Sequence, residues 1–267
     1  MEISIVILSY KMKNLVKNCI KSILESELDV PYEIIVVDNN SKDGIKEMLD
    51  ENFPQVKFIQ SDKNLGMGGG NNLGIKASQG KYVLISNADI FVFPNSIAKL
   101  YDFLKEKPNV GLVAPKLLNP DRTLQHTCYR WHNFWTPIYR RTPLRKLDWA
   151  KQELDRFLMK DWDHGTIKEV DWIQGSCILL PRRVFKQVGL FDERFFMYFE
   201  DTDLCRRIKQ AGLKNVYLPE AEVIHLHRRQ SADGKLNIVF NKMTRTHIVS
   251  WLKYMRKYQK SNISSRA

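Results

Sequence analysis

The first 118 residues alternate between two periodicities, and that alternation limits the folds open to the chain. Two β-branched runs of strand length, ISIVILSY at 3–10 and YEIIVVD at 32–38, flank NLVKNCIKSIL, whose apolar residues recur at helical spacing. VKFIQ, YVLIS and VGLVAP follow, separated by KEMLDENF, NNLGIKASQG and PNSIAKLYDFLKEK. Strands alternating with helices predict an α/β fold: a mostly parallel central sheet flanked by helices. The strand runs are continuously apolar, as parallel strands buried on both faces are. Ligands of such sheets bind beyond the carboxyl ends of the strands. The residues that follow each strand are therefore the first candidates: Ser9-Tyr10, Asp38-Asn39-Asn40, Asp62-Lys63-Asn64 and Asn87-Ala88-Asp89. Each group alone also suits a turn leaving a strand.

Beyond residue 118 the alternation stops. CYRWHNFWTPIYRRTPLRKLDW, within 119–168, mixes aromatics, arginines and prolines and reads as an excursion from the core. Regular structure resumes with VDWIQGSCILLP, a strand, and RRVFKQVGLFD, a short helix closed by Gly189. DTDLCRRIKQAG is a helix ending at Gly212, and KNVYLP and AEVIHLH are two short strands. The chain carries a formal net charge of +12, with the excess in 122–160 and 226–267. Such a balance calls for acidic company: nucleic acid, anionic lipid or phosphorylated substrates. Four scattered cysteines with no C-x-x-C spacing exclude a disulfide framework or zinc knuckle and fit a reducing compartment. The apolar run at the N-terminus is too short for a secretory signal and has no basic region before it, so a cytoplasmic location is expected.

Four stretches can carry chemistry. NLGMGGGNNLG at 64–74 follows a strand and opens a helix; it fits neither G-x-G-x-x-G nor a phosphate loop ending in Lys-Ser/Thr, and reads either as a loop where backbone approaches a ligand or as a flexible turn. In LISNADIFVFP, Asn87 and Asp89 offer oxygen donors two residues apart, as a hard divalent cation shared with a diphosphate requires; an Asx-turn gives the same pattern. His225 ends a late strand and is either a ligand or a satisfied histidine. MYFEDTDLC at 197–205 sets Glu200, Asp201 and Asp203 at a helix start. Capping needs one acid. Three beside an aromatic wall allow one carboxylate to be desolvated into a base.

In this order the motifs resemble the family 2 glycosyltransferases of the GT-A fold, most of all the bacterial rhamnosyltransferase-like branch that builds cell-surface polysaccharide. The likeness spans residues 2–227 and rests on SIVILSY, IIVVDNNSKDG, NLGMGGGNNLGI, LISNADIFV and YLPEAEVIH. Its most specific block is DWIQGSCILLPRRVFKQVGLFDERFFMYFEDTDLCRRIKQAG. The resemblance implies a GT-A domain over 1–230, with a nucleotide-sugar-binding half (1–118) and an acceptor and catalytic half (119–230). It implies that Asp38 accepts the imide N–H of uracil or thymine beside Ser9, Tyr10 and Asn40, and that Asn64, Gly66 and Asn71 border the nucleotide-sugar pocket. Asn87-Ala88-Asp89 stands at the D-x-D metal motif, with Asn in place of the first acid. Trp172 and Gly175 line the sugar and acceptor region. Asp201 is the general base, Glu200 supports it, Asp203 is structural, and His225 joins Asp89 at a Mg²⁺ or Mn²⁺ ion.

The implied reaction is inverting transfer of a sugar, rhamnose from dTDP-rhamnose by branch, to a hydroxyl of a lipid-linked or oligosaccharide acceptor. The imide edge is common to uracil and thymine, so a UDP-sugar donor is the alternative. Residues 231–267 form a C-terminal tail in which Phe240, Met243, Ile248, Trp251, Leu252, Met255 and Tyr258 share one helical face, opposite Lys242, Arg245, Lys253, Arg256 and Lys260. A basic amphipathic helix of this kind either lies on an anionic membrane surface or docks on the domain. A non-catalytic module binding phosphate or nucleic acid is the competing class, supported by the aromatics and arginines of 129–141. It leaves Asp38, Asp89 and Asp201 unexplained, because acids repel a polyanion, and no nucleic-acid partner is expected.

Overall fold

The structure, a computed structural model, describes residues 1–226 and 242–264. Its N-terminal part runs β1 (Ile3–Ser9), α1 (Lys13–Leu24), β2 (Tyr32–Asp38), α2 (Ile45–Asn52), β3 (Lys57–Gln60), α3 (Gly66–Ala77), β4 (Tyr82–Asn87), β5 (Ile90–Val92), α4 (Ser96–Lys105) and β6 (Val110–Leu118). The excursion holds β7 (Cys128–Tyr129), α5 (Thr136–Arg141), a 3-10 turn (Pro143–Lys146) and α6 (Asp148–Phe157). Then come β8 (Lys168–Val170), β9 (Trp172–Ile173), β10 (Cys177–Pro181), α7 (Arg182–Val188), α8 (Glu200–Gln210), β11 (Lys214–His225) and α9 (Lys242–Ser264).

One sheet holds the molecule, in the order β3-β2-β1-β4-β10-β6-β11-β5, with β8 also paired to β11. From β3 to β4 all pairs are parallel, and β6 is parallel to β11. β10 is antiparallel to both its neighbours, and β5 and β8 are antiparallel to β11. The sheet is thus mixed rather than mostly parallel, for a topological reason. β6 ends at the ligand-binding edge, the excursion stays there, and the chain re-enters from that edge, so β10 must run backwards. The start of β10 consequently lies where the parallel strands end.

Side chains of β1 alternate between the faces: Ile3, Ile5 and Ile7 join the core under α1, α2 and α4, while Val6 and Leu8 join that under α3, α7 and α8. The stretch expected as one strand at 170–181 is broken into β8, β9 and β10, and the two late strands are one, β11. Its register against β6 slips between Leu218 and Glu222, around Pro219, which has no N–H to give the ladder.

The glycine-rich segment is not a loop. Helix α3 begins at Gly66, whose φ of +75° makes the turn, and the following glycines form the helix face pressed onto the sheet. A β-carbon at Gly70 would lie 2.4 Å from Leu8 Cδ1, and one at Gly74 would lie 2.3 Å from Val6 Cγ1. The glycines let helix and strand backbones approach more closely than any side chain permits.

The expected single apolar stripe of α9 is divided by the structure; Phe240 lies outside the described residues. Trp251, Tyr254 and Tyr258 are buried against Phe195 and Phe199, with Met255 at the margin. Ile248 and Leu252 face outward with Lys253 and Arg256. The docking is also polar. Ser250 Oγ donates to the Met197 carbonyl at 2.8 Å, and Lys253 Nζ to that of Arg194 at 2.8 Å. Tyr258 Oη donates to Asp203 Oδ1 at 2.7 Å. Asp203, fully buried, also pairs with Arg207 at 2.8 Å and Lys257 at 2.5 Å, and Lys257 bridges on to Asp192 at 2.8 Å.

Two stability outcomes are expected. Gly74→Ala gains helix propensity yet should destabilise by about 1–2 kcal/mol, because Val6 on a buried strand cannot yield; a urea midpoint at or above the parent's would refute the packing argument. Tyr258→Phe removes a hydrogen bond to a buried carboxylate, about 2 kcal/mol, and should lower Tm by roughly 4–8 °C. An unchanged melting curve would show that α9 is not held through Asp203.

Candidate active site

The register of β1 brings the first candidates together. Ser9 pairs with Asp38 on one side, and Leu8 pairs with Asn87 on the other. The ends of β2 and β4 therefore flank β1, about 10 Å apart. The Asn87 N–H donates to the Ser176 carbonyl at 2.8 Å, and the neighbouring Gly175 N–H donates to Asp201 Oδ2 at 3.1 Å. Strand ends β1, β2 and β4, the start of β10 and the start of α8 thus share one edge. Ser9 Oγ, Asn71 Oδ1, Asn87 Oδ1 and Glu200 Oε2 are buried there and have no hydrogen-bond partner. Unpaired buried atoms occur elsewhere too, Thr142 Oγ1 and Asn215 Oδ1 among them, so these four mark polar groups open to a partner at the edge and do not by themselves define a ligand site.

The catalytic candidates sit after a strained turn. Tyr198 and Phe199 both adopt left-handed backbone, φ +67° and +68°, uncommon for residues with large side chains. Phe199 is the N-cap of α8, so none of the three acids takes that position. Asp201 instead accepts from the Gly175 N–H and, at 2.7 Å, from the Thr202 N–H. A β-carbon on Gly175 would lie 3.2 Å from that of Asp201, tight enough to push the carboxylate away. Burial raises both acids above their ordinary pKa, Glu200 strongly, with the Asp201 charge as a second cause. Two backbone N–H groups stabilise the charged form of Asp201 and oppose its rise. Neighbouring buried carboxylates do not both ionise readily. The charge therefore resides on Asp201 and the proton on Glu200.

Asp89 and His225 meet at the far side of the same edge, His225 Nε2 3.4 Å from Asp89 Oδ1. Gln125 fixes the ring. Its amide nitrogen donates to the His225 carbonyl at 2.8 Å, which turns Oε1 towards His225 Nδ1 at 3.0 Å. Nδ1 must then carry the proton, and Nε2 is the nitrogen that faces the carboxylate. His225 Nε2 and the Asp89 carboxylate form a nitrogen and oxygen donor pair of the kind that Mg²⁺ or Mn²⁺ accepts. The donors thus fit a divalent cation. Among the described residues no cluster of three or more His, Cys, Asp or Glu exists, so two protein donors would leave most positions to diphosphate oxygens and water, as hard cations accept.

The other candidates differ in role. Asp38 is 1% exposed and takes three donors: the Ser41 N–H, Ser41 Oγ and, at 3.0 Å, Gln60 Nε2. It organises its own loop: each carboxylate oxygen takes two contacts, because the Ser41 N–H is shared between them. Asn40 donates to the Asp62 carbonyl at 3.0 Å, and Tyr10 is exposed. Asn64 Oδ1 accepts from the Gly66 N–H at 2.9 Å and from Asn39 Nδ2 at 3.1 Å. Ala88 is buried. Trp172 is buried too: it stacks on Tyr129 at 4.1 Å and on His132 at 5.1 Å and gives its N–H to the Arg130 carbonyl at 3.0 Å.

Sequence reasoning places Asn39 among the strand-end candidates without a role, and the structure shows that it pins the 64–66 turn; sequence reasoning gives no role to Asn72, whose amide ties α3 to the Phe191 backbone by donating at 2.9 Å and accepting at 3.0 Å. Both lie within quoted motifs, in Asn-Asn pairs. Gln125 and the clamp from α9 had no local signal. A cavity of about 480 Å³ also lies against α8 and α9, lined by Trp131, His132, Arg206, Lys209 and Tyr258 among others; none of the candidates lines it. All four cysteines are free and buried, and burial pushes Cys19 and Cys205 up to about 12, which rules them out as nucleophiles.

Comparison with known proteins identifies the family and the fold. The family model described as glycosyl transferase family 2 matches residues 4–157, and that for glycosyl transferase family group 2 matches 82–260. The chain is 31% identical over 229 residues to the N-acetylglucosaminyl-diphospho-decaprenol L-rhamnosyltransferase of Mycobacterium tuberculosis, covering 75% of this chain and 68% of that one. It is 23% identical over 265 residues to the rhamnosyltransferase WbbL of Escherichia coli K12, covering 94% and 91%. Among solved structures, GalNAc-T7 with UDP, GalNAc and Mn²⁺ superposes with a TM-score of 0.67 at 18% identity, over 96% of this chain. The mannosyltransferase PcManGT of Pyrobaculum calidifontis, with GDP-Man and Mn²⁺, gives 0.59 at 17% identity, over 86%. This chain spans 48% and 58% of those two solved chains. Sheet order, edge geometry and family match converge: the chain belongs to the family 2 glycosyltransferases, has the GT-A fold, and is similar to their rhamnosyltransferase-like members.

Proposed function

We propose that the chain transfers rhamnose, from dTDP-rhamnose, to a hydroxyl of a lipid-linked glycan acceptor in cell-surface polysaccharide synthesis, with inversion at the anomeric carbon. The observation that carries the reading is the buried Glu200–Asp201 pair, with Asp201 held by the Gly175 and Thr202 N–H groups, at the edge where Ser9, Asn71 and Asn87 present unpartnered polar atoms. The likeness to the decaprenol rhamnosyltransferase supports the choice of sugar and acceptor class. A UDP-sugar donor meets the same base edge.

In this reading Asp38 accepts the imide N–H of the base in place of its shared contact with the Ser41 N–H, next to Ser9 and the exposed ring of Tyr10. Asn64, Gly66 and Asn71 border the sugar. Asp89 and His225 hold Mg²⁺ or Mn²⁺, which when bound neutralises the charge of the departing diphosphate. Asp201 accepts the proton of the acceptor hydroxyl as its oxygen bonds to the anomeric carbon from the face opposite the diphosphate. The bond from that carbon to the phosphate oxygen breaks, and the nucleoside diphosphate leaves with the electron pair. Glu200, keeping its proton, adds no second negative charge beside the nucleophile. No helix among the described residues is long and apolar enough to cross a membrane.

Asp201→Asn is expected to lower turnover about 10²–10⁴-fold while donor affinity by calorimetry stays within about threefold; transfer at near the parent rate would remove Asp201 from the chemistry. The donor assignment is checked by turnover across dTDP- and UDP-sugars with Mg²⁺ or Mn²⁺, where dTDP-rhamnose should be preferred. Folding favours the protonated form of Glu200. Its contribution to stability is therefore complete below the ordinary carboxylate value of 4.5 and is lost as pH rises through the raised folded value. Glu200→Gln should accordingly melt several degrees above the parent at neutral pH, with slower turnover, and the two melting curves should converge below about pH 4.5. A lower Tm at neutral pH would contradict the assignment of the proton.

A further inference from the structure

The excursion leaves large side chains in solvent: Phe134 is 46% exposed, Trp135 53% and Trp149 52%. Their rings form a connected series across the surface. Trp149 meets Tyr139 with ring centres 5.0 Å apart, Tyr139 stacks on Trp135 at 6.4 Å, and Trp135 meets Phe134 at 5.3 Å. Phe134 then reaches Trp251 of α9 at 5.1 Å, and on that helix Ile248, Val249 and Leu252 are 42 to 50% exposed. Single exposed hydrophobic residues are ordinary; a contiguous series with two tryptophans on a water-facing surface is not.

The charge around this series has one sign. Residues 130–151 contain six Lys or Arg against one acid, Asp148. Residues 242–264 contain six Lys or Arg and no acid. Arg140, Arg145, Lys146, Arg245 and Arg256 are exposed. Tryptophan and leucine rimmed by arginine and lysine match the boundary of an anionic bilayer, where rings enter the interface and cations meet headgroup phosphates. A second copy of the chain would bring two positive surfaces together.

We infer that the α5–α6 excursion and the outward side of α9 form one membrane-docking surface for an anionic bilayer, with Trp135, Trp149 and Leu252 entering the interface. Of the two alternatives the sequence left open for the tail, Trp251 and Tyr258 take docking on the domain, and only the outward side is left to meet lipid. The surface is also near the reacting centre: Trp251 packs in the cluster that contains Phe199, the residue before Glu200. Docking there would bring a lipid-linked acceptor beside the proposed base. The inference rests on the reading of a lipid-linked acceptor.

The test is cosedimentation of the full chain with vesicles of phosphatidylcholine alone or mixed with phosphatidylglycerol, at two salt concentrations. The parent should bind the mixed vesicles, more weakly at high salt. The Trp135→Ser/Trp149→Ser double variant, and separately Leu252→Ser, should bind about tenfold or more weakly while melting like the parent and turning over donor with a water-soluble acceptor as before. Binding of the variants equal to the parent's overturns the inference. So does a parent that ignores vesicles but forms a dimer that the double variant dissolves. If the parent binds vesicles as stated but turns over no nucleotide sugar, the functional reading fails and the docking surface stands.

Discussion

The active edge depends on how one backbone turn is held. Tyr198 and Phe199 occupy left-handed conformations that large side chains disfavour, and the chain passes through them into the helix that begins with Glu200 and Asp201. Such a turn persists only where its surroundings over-determine it. Here two helices do so. From one side, Asn72 of α3 ties Phe191, and the Met67 N–H donates to the Phe196 carbonyl at 2.8 Å. From the other, α9 binds the Met197 and Arg194 carbonyls and reaches Asp203 through Tyr258 and Lys257. The tail helix is therefore part of the scaffold that aims the carboxylates.

The closeness of these elements explains the glycines. α3 can press on β1 and on the 191–196 segment because it presents almost no side chains there: a β-carbon at Gly66 would lie 2.0 Å from the Phe196 carbonyl oxygen, and one at Gly68 3.3 Å from Phe191 Cβ. A motif that resembles a phosphate loop in composition is thus a packing device. It allows a helix to fit between a strand and the catalytic segment.

Electrostatics divides the molecule in two. The surface is strongly basic, whereas the edge gathers buried acids whose charge is managed singly. Asp203 and Asp192 are paired with lysine and arginine, Asp38 is satisfied by Ser41 and Gln60, and Asp201 is held by two backbone N–H groups. Glu200 has only a backbone N–H against its burial and the Asp201 charge, and its pKa is raised well above the ordinary carboxylate value. Leaving one carboxylate under-compensated costs stability and suits a site that must accept a proton, a common trade at reactive centres.

Periodicity alone determined the N-terminal α/β half, because buried parallel strands and amphipathic helices each leave a local pattern in hydrophobicity. The order of the motifs was enough to identify the family, and the residues after each strand were placed on one edge by topology, since parallel strands must end together. Three things were decided only by tertiary structure. The backward run of β10 follows from where the excursion re-enters the sheet, which no local pattern encodes. The helicity of the glycine segment follows from its fit against Val6 and Leu8, since composition by itself favours a turn. The division of α9 into a docked aromatic side and an exposed apolar side follows from which part of the domain it meets. A helical period records that residues share a face, but the neighbour that covers that face belongs to another part of the chain.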